Sequence, residues 1–302
     1  MMKTRTWLAF ALALLPRQAT SQARVDERWP LDPGGSVRIV SPFGRIRVLG
    51  WDADTVAVSG RLDAGAGRFY ATGGAGARKV GVDIAADARS TGRAELEVRV
   101  PRRATVWVRS AAADIDVVGM DGTLDLSTVG GAVHVVGTPQ DVTAETMDGR
   151  VEIAGGTGRA RVKTVSGNIL LRGASADLGA STLSGTIVVR AAGWQRGGTG
   201  VQRGKFESVT GDISFDGELG RGGGVELESQ SGNIVVRVPA QTIVDFDVVT
   251  IRGTITNTLG HREQQPKPRA GGGGNELRFS TGPGGAQVTV RNFKGAIVLR
   301  PK

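Results

Sequence analysis

The chain has 302 residues, no cysteine, 47 glycines and 5% aromatics, with a formal net charge of +9 at pH 7. These figures exclude disulfides, thiolate metal sites and lipid attachment through an N-terminal cysteine. The glycine content, well above the ordinary share of about 7%, with little aromatic material argues against an ordinary globular enzyme.

At the start, Lys3 and Arg5 precede an apolar run from Trp7 to Leu15, and Ser21-Gln22-Ala23 supplies the small residues of a cleavage site. Residues 1–23 therefore read as a signal peptide, since nine apolar residues are too few to span a bilayer. The mature chain, with no transmembrane segment, is expected in the periplasm or outside the cell. That setting argues against a nucleic-acid partner despite the basic balance.

Residues 24–109 carry short alternating runs, among them Val37–Val40, Ile46–Val48, Val56–Val58 and Leu96–Val100, with a Gly/Ala-rich loop over 64–79. They read as irregular first coils plus an N-terminal cap, because an open strand edge templates aggregation unless covered.

From residue 110 to 260 a phrase Ser/Thr-x-x-Gly-x-Ile/Val-x-Val recurs, with its glycine or replacement at Ala113, Gly131, Gly149, Gly167, Gly185, Gly211, Gly232 and Gly253. The first five are 18 residues apart and the last three 21, separated by one step of 26. Such a period is the signature of stacked repeats that bury their apolar faces only against one another. Two period-2 runs per repeat predict two strands per coil. The expected fold is thus all-β, a right-handed parallel β-solenoid, in which Ile115, Val133, Val151, Ile169, Ile187, Ile213, Ile234 and Ile255 form one inward column. The marker glycines are expected at positive φ in tight corners. The Ser or Thr three residues earlier, Ser110, Thr128, Thr146, Thr164, Thr182, Ser208, Ser229 and Thr250, is expected to face inward and satisfy a turn amide.

Residues 191–204, with Trp194 and several glycines, read as a loop protruding from one coil. Residues 261–274, with Pro266, Pro268 and four consecutive glycines, read as a flexible loop. Residues 275–302 read as C-terminal strands and cap.

The opening Gly44-Arg45-Ile46-Arg47-Val48-Leu49-Gly50-Trp51-Asp52, then Val56-Ala57-Val58, then Val100-Pro101 leading into the tandem Thr-x-x-Gly-x-Ile-x-Val repeats, resembles the bacterial putative-adhesin family of exported proteins. The resemblance spans nearly the whole mature chain. It implies a right-handed parallel β-solenoid of unassigned function, with no catalytic residues to carry over. Ala113 in place of Gly and the 191–204 insertion are departures from its pattern.

Several chemical motifs come close and fall short. Gly198 to Phe206 has phosphate-loop glycines one residue too far apart, with Phe206 where Ser or Thr would hold magnesium. The column after the marker, from Asp114 and Ala132 to Asn233 and Thr254, is too varied to chelate calcium systematically. No cofactor or metal is expected. His134 faces outward between Asp116 and Glu152 on adjacent coils, so this polar face is where a polysaccharide hydrolase or lyase would place its carboxylates; the solvated ladder is the simpler account. One register position further along the same column, Leu170, Val188 and Val235 point apolar side chains outward and form a candidate contact stripe, covered either by Trp194 or by a partner. The sequence thus points to a non-catalytic binding or structural module of the cell envelope, with an envelope protein, a polysaccharide or a second copy as partner, and a carbohydrate-active β-helix enzyme as the alternative.

Overall fold

The computed structural model describes residues 23–83, 92–156, 158–173, 176–191, 200–259, 264–270 and 272–302. Among them every regular element is a strand, and the strands form one mixed sheet of 25. No helix is long and apolar enough to cross a membrane among the described residues.

The amino-terminal strands are β1 (Ala23–Pro30), β2 (Ser36–Val40), β3 (Phe43–Trp51), β4 (Thr55–Leu62), β5 (Arg68–Gly73), β6 (Ala77–Asp83) and β7 (Ala94–Pro101). The repeats contribute β8 (Thr105–Arg109), β9 (Ala112–Val118), β10 (Thr123–Thr128), β11 (Val133–Gly137), β12 (Asp141–Thr146), β13 (Val151–Gly155), β14 (Arg159–Thr164), β15 (Ile169–Arg172), β16 (Asp177–Thr182), β17 (Ile187–Ala191), β18 (Val201–Ser208) and β19 (Ile213–Gly217). There follow β20 (Leu219–Ser231), β21 (Ile234–Val238), β22 (Val244–Asn257), β23 (Lys267–Pro268), β24 (Asn275–Ser280) and β25 (Ala286–Pro301).

From β8 to β21 each strand pairs in parallel with the strand two places on, so even and odd strands build two separate ladders. One even and one odd strand make a tier. The repeat length sets this pairing. Strands 18 residues apart meet with equivalent positions opposite one another, as Val133 meets Val151 and Val151 meets Ile169. Period-2 alternation then sends one set of side chains inward, and Ile115, Val133, Val151, Ile169, Ile187, Ile213 and Ile234 are all buried. Side-chain volumes compensate along the other column. Phe206 fits because Gly204 beside it has no Cβ, which would stand 3.0 Å from the Phe206 ring, and Phe206 packs at 5.9 Å from Phe215.

At both ends the tiers stack out of chain order. The β2–β3 tier lies between β6–β7 and β8–β9. At the other end β25 runs through both ladders and inserts between β20–β21 and β22. The inward column therefore does not pass from Ile234 to Ile255 as the repeat spacing predicts; Ile297 stands between them. The spacing misled here because β25 carries the same phrase in altered form, with Asn292 at the hydroxyl position before Gly295. Asn292 donates to the Gly232 carbonyl at 2.8 Å and accepts from the Lys294 amide at 3.1 Å.

Antiparallel strands flank the stack. β1 pairs with β4 and β4 with β7, β5 pairs with β6, and β24 and β23 lie in turn beyond β22. The 64–79 stretch expected as a loop is therefore largely the β5–β6 hairpin. Residues 201–204 belong to β18 and Lys267–Pro268 form β23, so both expected loops are shorter than the composition suggested. The edge strands carry the residues that discourage edge pairing: Arg24, Asp26, Glu27 and Arg28 on β1, and Lys267 with Pro268 on β23.

Five of the eight hydroxyls do what their parity predicts, while Thr182 and Ser229 donate to carbonyls of the neighbouring tier. Ser110, Thr128, Thr146, Thr164 and Ser208 accept from the amides of Ala113, Gly131, Gly149, Gly167 and Gly211 at 2.8 to 3.3 Å. Thr250 departs from it, since its buried hydroxyl has no partner. The marker glycines themselves need a different explanation from the one expected. From Gly131 to Gly253 none has positive φ. Instead, a Cβ on Gly149 would lie 1.8 Å from the Gly131 carbonyl oxygen, and one on Gly167 would lie 1.9 Å from that of Gly149. Glycine is required because successive corners touch backbone to backbone.

Candidate functional site

His134 is the register partner of Asp116 on one side and of Glu152 on the other. His134 Nδ1 lies 3.8 Å from Asp116 Oδ1. Each carboxylate also faces an arginine, with Arg45 at 3.4 Å from Asp116 and Arg172 at 3.7 Å from Glu152. No group of three such side chains among the described residues has the geometry to hold a metal ion.

The outward positions of the candidate stripe follow one another in register, with Ser214 interrupting the aliphatic side chains. Leu170 meets Val188, Val188 meets Ser214, and Ser214 meets Val235. Val298 of β25 extends it beyond Val235. All four aliphatic residues are half-buried. Trp194, one of the two alternative covers for the stripe, lies outside the described residues. A more exposed apolar ridge runs along the corner that follows each even strand, where Val129, Met147, Val165 and Leu183 are 40–51% exposed. Each joins the next through an amide-to-carbonyl bond of 3.1 Å.

A trough lies on the even ladder. On β16 the outward side chains are Asp177, Gly179 and Ser181. Their register partners are Arg159, Arg161 and Lys163 on β14 and Arg203, Lys205 and Glu207 on β18. A low row between two rows of long side chains leaves a trough of about 560 Å³, which continues past Glu226 to Gln287 and Thr289. Alternation fixes this geometry, because Leu178 and Ala180 must point inward and so send Asp177, Gly179 and Ser181 out. Gly179 has a specific use: a Cβ there would stand 2.9 Å from Arg161 Cδ, so the glycine lets Arg161 lie across it towards Asp177.

Asp177 gathers three guanidinium groups. Arg161 Nη2 donates to it at 2.8 Å, while Arg159 Nε and Arg203 Nε stand at 3.5 and 3.7 Å. Its side chain is only 14% exposed, against 42–78% for the arginines, so the acid lies at the floor and the cations at the rim. At the other end of the trough Lys205 donates to Glu207 at 2.8 Å, and this hydrogen bond holds the ammonium above its ordinary pKa. Lys163 is exposed and makes no ion pair among the described residues. Within a single repeat these outward positions look like any solvated strand face. The signal lies across the repeats, where a glycine falls between basic residues 18 residues before it and 26 after it, at Arg161, Gly179 and Lys205.

No protein-family model matches the chain, and no curated protein matches it. Among solved structures, a putative adhesin from Bacteroides fragilis is 10% identical, with 93% of this chain and 99% of that one covered and a TM-score of 0.46. A putative cell adhesion protein from Clostridium sporogenes is 9% identical, with coverages of 93% and 100% and a TM-score of 0.25. A putative adhesin from Parabacteroides merdae is 9% identical, with coverages of 92% and 96% and a TM-score of 0.29. The functional reading that follows rests on this chain's own residues.

Proposed function

We propose that this chain is an exported, right-handed parallel β-solenoid that serves as a non-catalytic binding or structural module of the bacterial cell envelope. The observation that carries the reading is the unbroken register of both ladders from β8 to β17, which fixes outward side chains at the spacing of the strands. A surface of this kind presents repeated chemistry along a line, which suits an extended or repetitive partner. The right hand is the one that parallel crossover connections adopt. The carboxylates of the polar face are already engaged by Arg45 and Arg172, an arrangement that suits a structural ladder better than a general acid.

The test combines an array of glycans and envelope proteins with an activity screen on the same polysaccharides. Binding without product is the expected result. Product formation that is lost in Glu152→Gln would overturn the reading in favour of a carbohydrate-active enzyme.

A further inference from the structure

We propose that the trough over β16 is a binding site for a linear acidic polysaccharide, one whose sugars carry carboxylate or sulfate groups. This rests on the reading of the chain as a binding module and adds the ligand class and the site.

The argument begins with donors and acceptors. A guanidinium offers five N–H donors and a carboxylate about four acceptor positions. Asp177 therefore cannot saturate Arg159, Arg161 and Arg203, whose other partners among the described residues are the Ala160 carbonyl for Arg161 and Asp141, at 3.8 Å, for Arg159. Held by one acid at the floor, the three cations are pre-positioned around it with donors still free, and pre-organisation lowers the entropy lost when an anion binds. Lys163 and Lys205 stand further along the same trough, so the three rows from β14 to β18 hold five cations against Asp177 and Glu207.

The surroundings then select among polyanions. Among the described residues no aromatic side chain lines the trough, so none of them offers the stacking platform that single-stranded nucleic acids use. β14, β16 and β18 are each paired on both edges, so no free backbone edge is offered to an added peptide strand. Glu207, Glu226 and Glu228 stand beside the cations, a pattern that opposes a continuous anionic membrane plane. Ser181, Gln287 and Thr289 supply neutral hydrogen-bonding groups for sugar hydroxyls. A chain with spaced negative charges and many hydroxyls fits this combination.

The experiment titrates the purified protein with polygalacturonate, dextran sulfate, neutral dextran, poly-L-glutamate and phosphatidylglycerol vesicles. One or both acidic glycans are expected to bind in a salt-sensitive way, the comparison telling carboxylate from sulfate, while the other three do not. Lys163→Gln with Lys205→Gln should weaken binding about tenfold, the scale of two lost exposed charge contacts. Gly179→Glu, which sets a carboxylate in the trough, should abolish it. Arg45→Gln with Arg47→Gln, on the other ladder, should leave it unchanged, and matching thermal unfolding verifies that each variant folds. The proposal is overturned if neither acidic glycan binds, if both double variants weaken binding equally, or if poly-L-glutamate or the vesicles bind as tightly as the glycans. Cleavage of the bound polysaccharide would instead overturn the non-catalytic reading and leave the site in place, so the two failures are distinguishable.

Discussion

The side chain of Asn233 accepts a hydrogen bond from the amide of Ala296, 3.0 Å away in space and 63 residues away in sequence. The same bond joins neighbouring tiers within the repeats, from Ala132 to Asp114, from Thr186 to Asn168 and from Asn233 to Asp212, at 18 or 21 residues. β25 thus enters the stack through the contacts that a consecutive repeat would make. It closes the column between Ile234 and Ile255, and β21 and β22 have no direct pairing without it.

Ile297→Ala is accordingly expected to cost about 2–5 kcal/mol, since Ile297 is fully buried and packed on both sides. Urea unfolding should show a lower midpoint with an unchanged slope. A midpoint like that of the parent protein would mean that the column is not continuous through β25.

Gly167→Ala is expected to be strongly destabilising, because the added Cβ would stand 1.9 Å from the Gly149 carbonyl oxygen, inside the stack. Gly34→Ala is the control, as a Cβ there meets nothing within 4 Å and its φ is ordinary. Differential scanning calorimetry on the pair checks the assignment; equal melting temperatures would contradict the backbone-contact explanation.

Thr146→Val removes the acceptor of the buried Gly149 amide with almost no change of volume, and should cost about 1–3 kcal/mol. Thr250→Val should be neutral or stabilising, since the Thr250 hydroxyl is buried without a partner. Chemical denaturation of both variants provides the comparison, and a larger loss at Thr250 would refute it.

Leu170→Asp with Val188→Asp tests the half-buried stripe on the odd ladder. If the stripe is a contact surface, association measured by sedimentation changes while the fold is kept. Unchanged association together with unchanged unfolding removes it from consideration.

Much of this molecule is legible in the sequence wherever one repeat follows another. The inward column from Ile115 to Ile234 and the role of Thr146 and its equivalents come directly from period and parity. What escaped were relationships between segments far apart in the chain. The spacing placed Ile255 next to Ile234 because nothing local marks Asn292-Phe293-Lys294-Gly295 as an intruding tier; its hydroxyl position holds an amide instead. The marker glycines were read through φ, whereas the constraint is a neighbouring tier's carbonyl, which no single repeat reveals. The trough was missed for the same reason. Arg161, Gly179 and Lys205 are unremarkable along the chain, and only their register across β14, β16 and β18 makes a basic slot.

The central claim is that tiers stack in register with the last one out of chain order, and the absence of native cysteine permits a direct test. Val235 and Val298 are register partners, as are Val298 and Thr256, whereas Val235 and Thr256 have β25 between them. Adjacent strands lie within the Cα separation that a disulfide spans, and strands two apart do not. Mild oxidation of Val235→Cys with Val298→Cys should therefore give a cross-link mapped by mass spectrometry, while Val235→Cys with Thr256→Cys should remain reduced. Cross-linking of the second pair but not the first would contradict the account.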